Sequence, residues 1–391
     1  MKMRKNAVIK GVEEILGGVC APRGFTACGS ERETDGWEYA LVKSEARLPA
    51  AFACNENGFK SSSLEFAEKR FNGILRVFAV LSGVADAGQG KSAEIAKELS
   101  VVGGRVLGVP DQDVLPLIVG DVSKRLPPPN VKELLFKAKP LDDNSAAAAR
   151  AICGQGVSKE GAFSFYIGDV RCKIGYIGRG KTFTESDCAL VLLTTDTDIS
   201  APLLQKALEA EMKDSFGMLC SSDLPSPTDA VCVMASGQAG NYPITEADTD
   251  YKKFADGFHL ACIEICKTLM RKTLEDKLFL CTVKGVRSKQ SAREIAKLLA
   301  SSETVKLSVR KGFFSAGSAL SAIGKAIEDC QPEKIDAFLS SNRGKLQVIS
   351  EGKTVAVSVK KFRSLLADSE ITLTVEIKSG NYSATALSTL E

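Results

Sequence analysis

Short apolar runs alternate along the chain with segments whose apolar residues recur at helical spacing. The runs have the length of buried strands and predict strands at 37–43, 74–81, 114–119, 163–167, 171–177, 189–193, 230–235, 277–286, 354–359 and 371–377. Apolar residues at i, i+3 and i+4 predict helices at 92–99, 131–139, 145–152, 201–214, 249–274, 288–299 and 315–327. Because strands and helices alternate loosely, with hairpins and runs of strands between them, the pattern predicts an α/β (α+β) fold in layers.

Composition and charge exclude several classes of protein. The 391 residues carry 51 Lys and Arg against 48 Asp and Glu, a net charge of +3 that lacks the basic footprint of a nucleic-acid-binding protein. Apolar residues make up 44% and charged residues 25%, as in ordinary globular proteins. No apolar run approaches the ~18–20 residues of a membrane helix, and no apolar segment follows the basic N-terminus as in a secretory signal. We therefore expect a cytoplasmic protein without nucleic-acid or membrane partners.

The histidine and cysteine contents restrict the chemistry. His259 is the single histidine, which nearly excludes Ser-His-Asp triads and His-rich metal sites. The 12 cysteines are scattered, mostly inside apolar runs and without a CxxC pair. This spacing indicates buried thiols in a reducing compartment rather than a disulfide framework or a zinc site. We expect neither a metal nor an organic cofactor.

Two glycine-rich segments are superficially similar to phosphate-binding loops. They are 83–90 (GVADAGQG) and 175–180 (GYIGRG). Neither contains G-x-x-x-x-G-K-[ST] or a complete dinucleotide fingerprint, so tight turns are the favoured interpretation of both. The adjacent carboxylates at 13–14, 142–143 and 275–276 lie in charged segments and are expected on the surface.

The segment Thr184–Ala189 leads a short polar stretch directly into an apolar strand. A nucleophile that becomes N-terminal by chain cleavage can use its own α-amine as the base, so it needs no histidine. Cys188 is a residue type suited to this role, with an ordinary thiol pKa near ~8.5. Without further information, an inert buried thiol remains the commoner explanation of Cys188.

Five segments, in order along the chain, carry a likeness to a known family. They are LGGVCAPRGFTA (16–27), VLSGVADA (80–87), LLTTD (192–196), SGQAG (236–240) and KSGNYSATA (378–386). They resemble the GGVTAPKGFRA, VNSGNANAC, FLTTD, ANGAAG and GRGDASATA segments of the ornithine acetyltransferase (glutamate N-acetyltransferase) family. The chain is identified as a divergent member of that family.

The resemblance implies a fold and a mechanism. The fold has two interlocked sheet-and-helix layers, and autocatalytic cleavage gives two chains that stay together. The family nucleophile lies six residues before its TTD threonine, which here places it on Cys188, after Asp187. The implied parts are therefore 1–187 and 188–391, and the implied reaction passes an acetyl group from N-acetylornithine to glutamate.

Further site residues follow from the same resemblance. The family's oxyanion Thr-Gly falls on Val119 and Gly120, whose backbone amides remain although the threonine hydroxyl is lost. The family's substrate lysine falls on Arg179, which can hold a carboxylate bidentately. Its substrate glutamate falls on Thr273 without a gap, or on Glu275 with a small shift.

Several family positions differ, which leaves two hypotheses open. The substrate threonine is replaced within 154–156 (GQG), the NWGR motif by 315–318 (SAGS), and the chain ends at Glu391 before the family's substrate-binding tail. The first hypothesis is an acyltransferase that acts through Cys188 on a small amino-acid-like substrate at an altered site. The alternative is a catalytically silent paralogue that serves as a structural or regulatory subunit of a relative. After cleavage we expect the two halves to stay together, in a larger oligomer or with a paralogous partner.

Overall fold

The computed structural model describes residues 8–9, 11–30, 35–88, 90–123, 125–136, 138, 144–153, 159–180, 189–220, 226–271, 273, 275–327 and 331–390. Its strands are β1 (Val8–Ile9), β2 (Val12–Ile15), β3 (Thr26–Gly29), β4 (Glu38–Cys54), β5 (Ile74–Gly83), β6 (Val114–Gly120), β7 (Lys159–Ile167), β8 (Val170–Arg179), β9 (Leu190–Thr195), β10 (Ala230–Ala235), β11 (Leu278–Val286), β12 (Ile335–Ser341), β13 (Gly344–Ser350), β14 (Lys353–Thr354), β15 (Glu370–Ile377) and β16 (Tyr382–Thr389).

The helices are α1 (Ser62–Arg70), α2 (Lys91–Leu107), α3 (Val131–Leu135), α4 (Ser145–Cys153), α5 (Ala201–Asp214), α6 (Thr249–Met270), α7 (Lys289–Ser301), α8 (Glu303–Arg310), α9 (Ala316–Ala326) and α10 (Val359–Leu366). None of these helices is long and apolar enough to cross a membrane. The mixed α/β class predicted from the alternating pattern is confirmed, since sheets and helices pack together throughout the described residues.

The chain forms two compact units. The first contains Met1–Ala210 and Leu224–Ile265, and the second contains Glu211–Asp223 and Cys266–Glu391. The predicted division into 1–187 and 188–391 describes the products of chain cleavage, and the compact units do not test it. It stays a prediction.

The first unit is built on a sheet in the order β1-β2-β7-β8-β9-β10-β4-β5-β6, with β3 also paired to β4. The long strand β4 connects the two halves of this sheet. Its residue Ala50 pairs with Met234 of β10, and its residue Glu38 pairs with Ser82 of β5. Strands β9 and β10 are parallel to each other, as are β5 and β6. Central strands such as β9 are buried on both faces, which explains their uninterrupted apolar sequence.

Two apolar cores lie on the two faces of the β4-β5-β6 part of this sheet. Alternate residues of β5 enter different cores, Phe78 and Val80 on one face and Val77 and Ala79 on the other. The first core includes α4, and the second includes α2. The strand period of two thus places helices on both sides of the sheet.

The second unit is built on a sheet in the order β14-β13-β12-β15-β11-β16. Strand β11 is parallel to β15 and antiparallel to β16. In β15 the alternate residues Ile371, Leu373, Val375 and Ile377 are at most 2% exposed and face the core formed with α7 to α10. The polar residues between them lie on the other face, as expected for a half-covered sheet.

Two local predictions are wrong. The segment 175–180 is not a turn: Gly175–Arg179 continues β8, and a Cβ at Gly175 would overlap the carbonyl of Gly18, so close packing explains that glycine. The strand predicted over 354–359 ends at Thr354, and a new helix, α10, begins at Val359. Local apolar spacing could not distinguish a short strand end from the first turn of a helix.

Candidate functional site

The end of β6 carries the two amides predicted to stabilise an oxyanion. Val119 is 1% exposed, and Gly120 lies opposite Gly83 of β5. The Asp121 N–H donates to the Gly83 carbonyl at 3.2 Å. Because alternate peptide groups of a strand face opposite edges, the Val119 amide faces β5 and the Gly120 amide faces away from it.

The beginning of β9 lies beside the end of β8. Arg179, half-buried, is opposite Leu190 in the antiparallel register. Ala189 donates its N–H to Asp229 Oδ1 at 2.7 Å, and its carbonyl accepts the Ala230 N–H at 2.9 Å. Arg179 is therefore held next to the residues that follow position 188.

The last turn of α4 connects these two places. The Ser82 hydroxyl, beside Val119 in the strand register, donates to the Ile152 carbonyl at 3.3 Å. The Cys153 thiol donates to the Gly178 carbonyl at 3.3 Å, one residue before Arg179. The structure thus brings the end of β6, Arg179 and the beginning of β9 around one helix end.

The remaining predicted site residues are either outside the described residues or in the second unit. Cys188, Asp187 and the segment 154–156 are outside the described residues. Glu275 belongs to the second unit, where it is exposed in a turn and its N–H donates to the Thr273 hydroxyl at 3.2 Å. The roles predicted for these residues stay predictions.

Hydrogen bonds join three of the five family landmarks, 16–27, 192–196 and 236–240. The Thr194 hydroxyl donates to the Val19 carbonyl at 2.8 Å, and the Ser236 hydroxyl donates to the Arg23 carbonyl at 2.6 Å. Asp196, 2% exposed, accepts the Lys173 N–H at 2.7 Å. These contacts lie at the far end of β9 from Ala189.

Sequence reasoning missed Asp229. It lies at the end of Ser226–Asp229, a polar turn that immediately precedes the apolar strand β10, and this position was the available signal. Its contact with Ala189 joins residues far apart in sequence, so it is visible only in the fold. In the described part of the chain, no group of three or more His, Cys, Asp or Glu residues could hold a metal ion.

Comparisons with known proteins find similar sequences over almost the whole chain. The model of the ArgJ family matches residues 24–389. The chain is 28% identical over 388 residues to the arginine biosynthesis bifunctional protein ArgJ of Symbiobacterium thermophilum, covering 96% of each. It is 24% identical over 385 residues to the glutamate N-acetyltransferase of Methanocaldococcus jannaschii, covering 94% of each. A crystal structure of the arginine biosynthesis bifunctional protein argJ from Bacillus halodurans has 26% identity and a TM-score of 0.46, covering 51% of this chain and 92% of that one.

Proposed function

The chain belongs to the ArgJ family, and on that premise we propose that it is an N-acyltransferase whose nucleophile, Cys188, becomes N-terminal when the chain cleaves itself after Asp187. One observation carries the proposal. The beginning of β9, directly after position 188, lies beside Arg179 and is linked through α4 to the end of β6. A nucleophile, a carboxylate anchor and an amide donor would then share one site.

Cleavage requires an N-to-S acyl shift. The Cys188 sulfur attacks the carbonyl carbon of Asp187, the peptide C–N bond breaks, and the thiol proton passes to the nitrogen of Cys188. Water then hydrolyses the thioester, which leaves the Asp187 carboxylate, a free thiol and a free α-amine. That α-amine is the base that the later reaction needs, since the chain has a single histidine, on α6.

Acyl transfer uses the same sulfur. It attacks the carbonyl of an N-acyl donor, the α-amine carries the thiol proton to the departing amine, and an acceptor amine or water then releases the acyl group from the thioester. We assign oxyanion stabilisation to the Gly120 amide ahead of Val119, because the Val119 amide faces β5. Arg179 would bind a substrate carboxylate.

The substrates are proposed to be small and amino-acid-like, as the names of the relatives suggest for those proteins. The two products of cleavage would remain together in the cytoplasm, without a cofactor. The ornithine site is proposed to be altered, because 154–156 and 315–318 differ from the family motifs.

A silent subunit is the second candidate, and one observation favours it. The residues that replace the NWGR motif serve the fold: Ser315 N–H donates to the Ser308 hydroxyl at 3.1 Å, and the Ser315 and Ser318 hydroxyls lie 2.8 Å apart. They begin α9. In a chain that has lost catalysis, former substrate-binding positions such as 315 and 318 are expected to stabilise the fold instead.

Intact-mass measurement of the purified protein separates the two candidates. We expect two chains, 1–187 and 188–391, and a single folded chain from Cys188→Ala. Cys232→Ala, which removes a buried thiol from β10, is the matched control and should cleave normally. Wild-type protein that stays one chain under reducing conditions would favour the silent subunit.

A further inference from the structure

Both polar groups of the Ala189 backbone are held by two consecutive residues. Asp229 accepts the Ala189 N–H at 2.7 Å, and the Ala230 N–H donates to the Ala189 carbonyl at 2.9 Å. The second contact belongs to the parallel pairing of β9 with β10. The contact with Asp229 comes from a side chain, so it is not part of the backbone pairing between strands.

The Asp229 carboxylate is itself fixed in place. Its Oδ2 accepts the Ser226 N–H at 3.0 Å, while the Asp229 N–H donates to the Ser226 carbonyl at 3.2 Å. The Asp229 carbonyl accepts the N–H of Asn55, a residue that is 8% exposed, at 3.1 Å. A turn closed at both ends and tied to the end of β4 therefore aims this carboxylate at Ala189.

We propose that Asp229 is a positioning residue for the nucleophile at position 188, an inference that rests on the proposed function. The Ala189 nitrogen is bonded directly to the carbonyl carbon of residue 188, so holding this nitrogen holds the planar peptide group through which Cys188 is joined to β9. Both the acyl shift and the transfer reaction need the sulfur within ~3–3.5 Å of a carbonyl carbon, and a 1 Å misplacement can cost about 10²-fold in rate. In this role Asp229 acts through its hydrogen bond with Ala189.

Asp196 provides a matched control at the other end of the same strand. Its carboxylate also accepts a backbone N–H at 2.7 Å, from Lys173, and it is 2% exposed. Replacing either aspartate with asparagine exchanges a carboxylate acceptor next to β9 for a neutral amide oxygen. Only Asp229 lies at the end that continues to position 188.

The test compares Asp229→Ala, Asp229→Asn and Asp196→Asn with wild type. Self-cleavage is followed after cell-free synthesis, thermal unfolding gives Tm, and acylation of the cleaved protein is measured as p-nitrophenolate release from p-nitrophenyl acetate. We expect Asp229→Ala to slow cleavage about 10²-fold. Asp229→Asn should slow it less, because the amide oxygen still accepts the Ala189 N–H. In cleaved Asp229→Asn the maximal acylation rate should fall while the half-saturating ester concentration changes little.

Asp196→Asn should lower Tm while its cleavage and acylation rate constants stay within about twofold of wild type. Equal rate losses in the two asparagine variants, in proportion to lowered Tm, would show a merely structural role and overturn the inference. So would wild-type rates in both Asp229 variants. Cleavage by Cys188→Ala would instead overturn the proposed function, so the two failures are distinguishable. If Asp229→Ala does not fold, the rates of Asp229→Asn alone decide the test.

Discussion

A single buried carboxylate explains why the glycine-rich segment 83–90 is similar to a phosphate loop. Asp86, 3% exposed, accepts the Ser62 N–H at 2.8 Å, the Ser62 hydroxyl at 2.6 Å and the Ser92 N–H at 2.8 Å. Ser62 begins α1 and Ser92 lies in the first turn of α2, and helix N-termini favour negative charge. The place of a bound anion is therefore taken by the protein's own side chain, which supports the turn interpretation over nucleotide binding.

Asp86→Asn should change both the stability of the protein and its dependence on pH. Burial raises the pKa of Asp86, but the hydrogen bonds from Ser62 and Ser92 outweigh burial and hold the pKa below its ordinary value. The resulting stabilisation is present above the unfolded pKa of ~3.9 and is lost as the pH falls through the lower folded pKa. We expect the variant to lose about 1–3 kcal/mol at neutral pH and to lose less stability than wild type on further acidification.

Urea unfolding between pH 7 and pH 3 measures this difference. Asp336→Asn is the control, because the hydrogen bond from Lys378 lowers the pKa of Asp336 through a charged pair that salt screens. High salt should reduce the effect of Asp336→Asn but not that of Asp86→Asn, whose partners are neutral. Equal acid dependence in wild type and Asp86→Asn would contradict the lowered pKa.

At the scale of the element, the end of β6 depends on the absence of a side chain. Gly120 has φ +153°, and a Cβ there would overlap the backbone carbonyl of Gly83 on β5. The parallel pairing of β5 with β6 continues to this residue. Because Gly120 has no Cβ, its backbone can lie against Gly83 while β6 stays paired with β5.

Gly120→Ala should destabilise the first unit by about 3 kcal/mol, because backbone strain adds to steric overlap. Gly324→Ala is the matched control: this exposed glycine in α9 has no neighbour within 4 Å of an added Cβ. That change should stabilise the protein by about 0.5–1 kcal/mol, since alanine favours helix. Thermal and chemical unfolding of both variants check the signs, and a neutral Gly120→Ala would mean that β6 can shift away from β5.

At the scale of the whole molecule, the proposed alteration of the substrate site predicts a changed substrate. A site that hydrogen-bonds a polar substrate discriminates by ~10⁴ or more, and loses that selectivity when its partners are removed. The resemblance places the family's substrate threonine within 154–156, where this chain has GQG, and Ser315 and Ser318 form hydrogen bonds within the fold. We therefore expect little exchange of labelled acetyl between N-acetylornithine and glutamate, even from cleaved protein.

Less polar N-acyl amides should be better donors than N-acetylornithine in the same assay. A family member with intact motifs, assayed in parallel, controls for the activity of the reagents. Acetyl exchange by this protein at ordinary enzyme rates of ~10 per second would mean that other residues bind ornithine in place of the family motifs.

The sequence by itself determined the elements whose signal is local. The apolar runs at 189–193 and 230–235 became β9 and β10, and the alternating residues of 371–377 became β15, because burial imposes these patterns directly. The five ordered landmarks were also sufficient to indicate the family, whereas charge and the single histidine only excluded other classes. Polar helices such as α1, whose stability depends on Asp86 and on packing, left no comparable pattern.

Only the tertiary structure decided how the candidate site is assembled. The pairing of Arg179 with Leu190, the contact of Asp229 with Ala189 and the direction of the Gly120 amide all depend on strand register and on the position of α4. Register and helix placement are set by many weak contacts between residues distant in sequence. A motif can therefore indicate which residues matter, whereas their distances and the identity of the residue that holds position 189 arise from the fold.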